Sequence, residues 1–326
     1  MSELHTEGGP PPVEVASASF THAGKVRTLN EDSVLNTFPF FLVADGMGGH
    51  EHGEVASSMV AGLLPSLVSG QSVSVPTVRA AVEECNRRVH VEGGSGQGMG
   101  TTVTGVVVAS DSRRPSLVLV NVGDSRTYRV RGGVLEQLSI DHSRVQELFQ
   151  VGAITAEQMA SHPERNVITR AVGIEPQVTP DVSTVLPVAG DRFLVCSDGL
   201  SGELPDEALA RCLAHAEPAA AAQALLDAVL ATPARDNISA IVLDVLTVQP
   251  PVAADDLDRT DPRPIVAASL GDDDTQPRPL PELPPPTMLI NDVPPATPSA
   301  STSETTVGAD ATIGEIPGLE QRGNGG

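Results

Sequence analysis

Short apolar runs alternate with glycine- and acid-rich turns over the first three quarters of the chain. Val13–Phe20 (VEVASASF) carries period-two apolar spacing and reads as a strand. Phe41-Leu42-Val43-Ala44 is a short apolar run ending abruptly in Asp45, with Gly46, Met47, Gly48, Gly49 and His50 behind it. It reads as a buried strand closed by a glycine turn. Val55, Met59, Val60, Leu63, Leu64 and Leu67 fall at helical spacing and predict a helix over Glu54–Ser69, with Pro65 as a kink. Pro76–Val91 is a second helix, its buried face Val78, Ala81, Val82, Cys85 and Val89. Thr101–Ala109 and Leu117–Val122 are β-branched strands. Gly123-Asp124 turns the chain into Arg126–Arg131, and Gly132-Gly133 returns it along Val134–Leu138. These successive hairpins predict an antiparallel meander. Asp141–Thr169 is polar and short-helical, an excursion from the sheet. Arg192–Cys196 is a further strand ending in Ser197-Asp198-Gly199. Helices over Pro205–Ala214 and Pro218–Leu230 follow, then Asp236-Asn237 and a last strand, Ile238–Val245.

The composition sets bounds around this pattern. A chain of 326 residues is long enough for roughly two domains, or one domain and a tail. With no Trp and one Tyr, the core must be filled by Val, Leu, Ile and Ala. A net charge of -22 disfavours nucleic acid and anionic membranes as partners. Three widely spaced cysteines offer neither a zinc spacing nor a redox pair, which fits a reducing cytoplasm. The N-terminus lacks the basic and apolar regions of a signal peptide, and no run approaches the roughly 18 apolar residues of a membrane span. Residues 1–12 read as a flexible leader. Residues 247–326 hold 13 acidic and 4 basic residues, are rich in Pro, Thr and Ser, and lack periodicity; a disordered acidic tail is expected.

Four acidic features share one description. Glu31-Asp32 precedes a strand-like run, Asp45 and Asp198 end strands, and Asp236 begins one. Carboxylates at strand ends can converge on one edge of a sheet, where they repel strongly unless cations neutralise them. Oxygen ligands without His or Cys select Mg²⁺ or Mn²⁺ over zinc. The Gly46 carbonyl, with no side chain beside it, is a further candidate ligand. Two such ions suit phosphate-ester hydrolysis. Taken singly, each feature is equally an Asp-Gly or Asx turn.

The motifs in order are Arg27-x-x-Asn30-Glu31-Asp32-Ser33, Val43–His50, Gly100-Thr101-Thr102, Asn121–Arg126, Asp141-His142-Ser143, Asn166–Gly173, Cys196–Leu200 and Arg235–Ser239. Over residues 13–246 this series resembles the bacterial protein phosphatase 2C family of metal-dependent serine/threonine phosphatases. The resemblance implies an α+β fold, a four-layer α-β-β-α sandwich of two antiparallel sheets flanked by helix pairs, with a flap at about residues 141–169. It implies that Asp45 bridges two Mn²⁺ or Mg²⁺ ions, with Glu31 and the Gly46 carbonyl completing one and Asp198 and Asp236 the other. Asp32 would support the ligands. Asp124 would help hold a third, weaker ion, although Gly202 stands where relatives carry a second aspartate for it. Arg27 would hold the substrate phosphate while a metal-bridging hydroxide attacks phosphorus in line, and His50 would protonate the leaving oxygen. The expected enzyme is a cytoplasmic, monomeric phosphatase acting in signalling on phosphoserine and phosphothreonine proteins, against bacterial Ser/Thr kinases. A non-catalytic pseudophosphatase that binds phosphoproteins or kinases is the alternative, and the intact set Glu31, Asp45, Asp198 and Asp236 argues against it.

Overall fold

The computed structural model describes residues 13–48, 52–94, 98–110 and 114–249. These fall in the first of two units of the chain, Met1–Pro262; the second, Arg263–Gly326, lies outside the described residues, as do the leader, His50 and most of the acidic tail. The strands are β1 Val13–His22, β2 Asp32–Thr37, β3 Phe40–Met47, β4 Gly100–Thr101, β5 Val103–Val108, β6 Leu117–Val122, β7 Arg126–Arg131, β8 Val134–Gln137, β9 Asp181–Val185, β10 Arg192–Cys196 and β11 Ile238–Val248. The helices are α1 His52–Val68, α2 Val75–Gly93, α3 Arg144–Gln150, α4 Ala156–Met159, α5 Asp198–Ser201, α6 Asp206–Leu213 and α7 Pro218–Leu230.

Two antiparallel sheets form the middle of the molecule. One runs β1-β11-β10-β7-β8 and the other β2-β3-β5-β6-β9, with β4 beside β3. Period-two side-chain alternation explains the layering. On β3, Phe41 and Val43 face the opposite sheet while Phe40 and Leu42 face α1 and α2. On β10, Phe193 and Val195 point inward while Leu194 and Cys196 pack under α5, α6 and α7. β11 divides in the same way, with Ile241, Leu243 and Val245 inward and Ala240 and Val242 outward. Each central strand is buried on both faces, so it reads as a continuous apolar run. The result is the expected α-β-β-α sandwich.

The single meander predicted from Thr101 to Leu138 is corrected by the structure. β5 and β6 pair in one sheet, but β7 and β8 belong to the other. The chain changes sheet at Gly123, whose φ of +106° favours glycine, and a Cβ there would lie 2.5 Å from Thr102 Cγ2. The hydrophobic pattern of β6 and β7 shows burial but not the identity of the partner strand. β9 was not foreseen: Asp181–Val185 is a largely exposed edge strand with little apolar content. The last strand extends past Val245 to Val248, because Val13 and Glu14 of β1 supply partners for Val248 and Thr247. Helix α1 continues through Pro65 to Val68.

One buried charge joins a sheet to its helices. Arg192, at the start of β10, pairs with Asp244 of β11 at 2.5 Å and 2.6 Å. It also donates to the carbonyl of Leu213, the last residue of α6, and to those of His215 and Ala216 just beyond it. Those carbonyls have no helical partners of their own, and a cation there complements the helix dipole. Arg192→Met should therefore lower unfolding free energy by about 3–5 kcal/mol, the cost of orphaning a buried pair. Arg87→Met, in an exposed pair with Glu84, should leave the urea midpoint almost unchanged. Burial pushes the thiols of Cys85 and Cys196 up to about 12. At pH 8 both are protonated and unreactive, so a disulfide reagent should label no more than Cys212 in the native protein and all three cysteines after denaturation.

Candidate metal and phosphate site

The sequence-predicted carboxylates lie at one edge of the sandwich, each at or beside the end of a strand. Asp32 and Asp45 stand opposite each other in the β2–β3 register. Asp198 follows β10 and opens α5, Asp236 precedes β11, and Asp124 follows the Gly123 crossing from β6. The glycine turn brings backbone against backbone. A Cβ on Gly46 would lie 2.1 Å from the Gly53 carbonyl oxygen, and one on Gly53 would lie 2.6 Å from Glu31 Oε1. Larger residues at either position would push Glu31 away from this edge.

Hydrogen bonds to the main chain hold Glu31 and Asp45 in place. The Gly46 N–H donates to the Glu31 carbonyl at 3.2 Å, and Ser57 Oγ donates to the same oxygen at 2.6 Å. The Thr102 hydroxyl accepts from the Asp45 N–H at 3.0 Å, while Thr101 Oγ1 donates to the Asp45 carbonyl at 2.9 Å. This accounts for the Gly-Thr-Thr motif. Asn237 is a brace whose part was not evident in the sequence. Its Nδ2 donates to the carbonyls of Ala23 and Leu29, and its Oδ1 accepts from the Glu31 N–H at 2.9 Å. One side chain thus fastens the Arg27–Glu31 loop to β11. Its only sequence signal is its place directly after Asp236.

The acids perturb one another strongly. Asp45 is held well above the usual carboxylate range, first by burial, then by Asp32, Asp198 and Asp124, and by a shared hydrogen bond with Asp198. Asp198 is raised by burial and by Asp236, while its bond to Asp45 opposes the shift. Two carboxylates that share a proton behave in this way. Burial pushes Asp124 up to about 7, with Asp198 and Asp141 adding to it. Asp32 reaches about 6 through burial, partly offset by hydrogen bonds from Ser239 and Ser197. The Ser197 hydroxyl donates to Asp32 Oδ2 at 2.8 Å. One oxygen of Asp32 and one of Asp124 are buried without a hydrogen-bond partner among the described residues.

Arg27 stands at the mouth, where Nη2 pairs with Asp236 Oδ2 at 2.8 Å and both side chains remain about half exposed. Beside the acids lies a cleft of about 420 Å³ between Asp124, Asp198 and Ser201 on one wall and Met159, Arg165 and Asn166 of the excursion on the other. Glu203, next to Gly202, is held by the Arg235 guanidinium at 3.2 Å. Among the described residues no three side chains close around an ion as they stand, and Asp236 is drawn toward Arg27 instead. The donor set nonetheless fits a hard divalent cation: it is all oxygen, like-charged and partly unpartnered. The structure therefore brings Arg27, Glu31, Asp45, Gly46, Asp124, Asp198 and Asp236 to one edge, while the predicted acid His50 lies outside the described residues.

Comparison with known proteins agrees with this geometry. The protein phosphatase 2C family profile matches residues 24–236. The serine/threonine protein phosphatase PstP of Mycobacterium tuberculosis is 37% identical over 265 residues, which cover 79% of this chain and 49% of that protein. The chain thus spans about half the length of that relative. The serine/threonine phosphatase stp of Listeria monocytogenes is 36% identical over 201 residues, covering 57% of this chain and 78% of the relative. The crystal structure of M. tuberculosis PstP/Ppp superposes with a TM-score of 0.66 at 37% identity, over 72% of this chain and 99% of that one. A structure of the PstP catalytic domain in complex with two manganese ions gives a TM-score of 0.65 at 35% identity, over 72% of this chain and 99% of that one. A profile match over most of the folded residues, on a sandwich whose acids meet at one edge, shows that this chain belongs to the protein phosphatase 2C family.

Proposed function

We propose that the chain is a Mg²⁺- or Mn²⁺-dependent phosphatase that hydrolyses phosphoserine and phosphothreonine in proteins, opposing bacterial Ser/Thr kinases. The observation that carries this reading is the meeting of Asp45, Asp198, Asp124 and Asp32 in one close, mutually repelling group beside Arg27. Two manganese ions in the PstP catalytic domain support it. Asp45 is the proposed bridge between two ions. Glu31 and the Gly46 carbonyl would hold one ion with it and Asp198 and Asp236 the other, and Asp124 would help hold a third. Bound ions would neutralise the clustered acids and supply an activated water beside the phosphoryl group.

The protein's own groups do the remaining work. Arg27 exchanges its Asp236 partner for the substrate phosphate, which its planar fork can grip at two oxygens. Asp32, held by Ser197, keeps a negative edge behind Asp45. His50 is the proposed donor to the departing Ser or Thr oxygen. The catalytic segment is proposed as residues 13–246, with the flap at about 141–169 beside the cleft and residues 247–326 as a tail outside the chemistry. A reducing, cytoplasmic setting is part of the proposal, supported by three cysteines that are all free. No helix among the described residues is long and apolar enough to cross a membrane.

With Mn²⁺ and a phosphothreonine peptide, Asp45→Asn and Asp198→Asn should each lose turnover while still unfolding in one cooperative thermal transition, with less stabilisation by added Mn²⁺ than the wild type. A chelator should silence the wild type, and added Mn²⁺ should restore it. Peptide binding without turnover at any metal concentration would overturn the reading in favour of a binding module. Arg27→Lys should lower kcat/KM by about 10–100-fold, the worth of a charge-assisted pair of about 1.5–3 kcal/mol. An Arg27→Lys enzyme with wild-type kcat/KM would remove Arg27 from the phosphate site.

A further inference from the structure

His142 stands at the root of the flap and is 6% exposed. It meets Gly123 through two hydrogen bonds of opposite direction. The His142 N–H donates to the Gly123 carbonyl at 2.8 Å, and the Gly123 N–H donates to His142 Nδ1 at 3.1 Å. An accepting Nδ1 requires a neutral ring with its proton on Nε2. Nε2 faces Asp181 Oδ2 at 3.1 Å. Arg170 Nη1 approaches the same edge, 2.9 Å from Nε2, and donates to Asp181 Oδ1 and to the Thr179 carbonyl, each at 3.0 Å. Burial, then the Arg170 charge, hold the ring below its ordinary pKa, with Asp181 and Asp141 opposing.

The clamp acts on the turn that carries Asp124. Gly123 sits at positive φ against Thr102, and its carbonyl also accepts from Asn121 Nδ2 at 3.3 Å. Asp124 follows directly, with one carboxylate oxygen buried and unpartnered on the wall of the cleft. Its place is therefore set by backbone, and His142 holds both polar groups of the preceding residue. The same histidine ties in the flap. Its carbonyl accepts from the Thr169 N–H at 2.9 Å, and the Arg144 N–H donates to the Val167 carbonyl at 2.8 Å, so both arms of the flap meet there.

We infer that His142 is a positioning residue: its Nδ1 clamp on Gly123 sets Asp124 at the cation site and couples that carboxylate to the flap. The inference rests on the phosphatase reading for its catalytic consequence, but the clamp can be read separately. H142N keeps an acceptor near Nδ1 and gives up the Asp181 contact. H142Q places its amide near Nε2 and leaves the Gly123 N–H without an acceptor. H142N should keep kcat within about threefold of wild type, whereas H142Q should lose about 10–100-fold in kcat or in the affinity of its weakest Mn²⁺, as outer partners of metal sites do. KM for the phosphopeptide should change little in either. Calorimetric Mn²⁺ titration and hydrogen exchange of the Gly123 amide give readouts apart from turnover, and only H142Q should exchange faster there. Because His142 acts through Asp124, H142Q should add nothing to D124N. H142A replaces H142Q if the latter does not fold. Equal Gly123 exchange and equal Mn²⁺ affinity in H142N and H142Q would overturn the inference. An inactive wild type would sink the phosphatase reading instead, and Gly123 exchange would still decide the clamp.

Discussion

Repulsion among carboxylates is the constraint around which this fold is arranged. Two like charges about 4 Å apart cost roughly 4 kcal/mol at the effective dielectric of a protein edge. That is a large share of a domain's net stability of about 5–15 kcal/mol. Loose loops would relieve such strain by moving apart. Here Asp32, Asp45, Asp198 and Asp236 are attached to strands whose bodies are locked in the sandwich core. The raised pKa values of Asp45 and Asp198 are the direct expression of that repulsion and of burial. A divalent cation relieves the repulsion, so the strain held by the core becomes affinity for the ion.

Neutral groups do the bracing, which keeps the charge balance of the edge unchanged. Asn237 joins the Arg27 loop to the last strand, Thr101 and Thr102 hold the backbone of Asp45, and Ser197 and Ser239 steady Asp32. The braces reach their partners across dozens to hundreds of residues of sequence. At the flap root the pattern continues with charge added. Asp141 is gripped by Arg126 of β7, at 2.7 Å, in one sheet. The neighbouring His142 is gripped by Gly123 and by Asp181 of β9 in the other. Two adjacent residues thus pin the flap to both sheets where the sheets come together. A segment rooted this way has a fixed base beside the cleft.

Much of this was open to reading from the chain alone. The apolar runs of β3, β5, β6, β10 and β11 and the helical faces of α1, α2, α6 and α7 were legible because side-chain period reports burial directly. Asp45 and Asp198 were legible because an acid ending an apolar run needs a partner. β9 was not, since an exposed edge strand carries no apolar signature. The division of the β5–β8 segment between two sheets was not, since burial on both faces looks the same in either.

The sequence by itself determined which segments are buried, which residues are acids, and that those acids sit at strand ends. These are local properties of a few neighbouring positions. The tertiary structure alone decided which sheet each strand joins, that Asp198 comes against Asp45, that Asn237 reaches back to Glu31, and that His142 accepts from Gly123. Each of those facts depends on the distance between groups far apart in the chain. Hydrogen bonds and charge coupling act over a few ångströms of space, and the pattern along a sequence does not contain that distance.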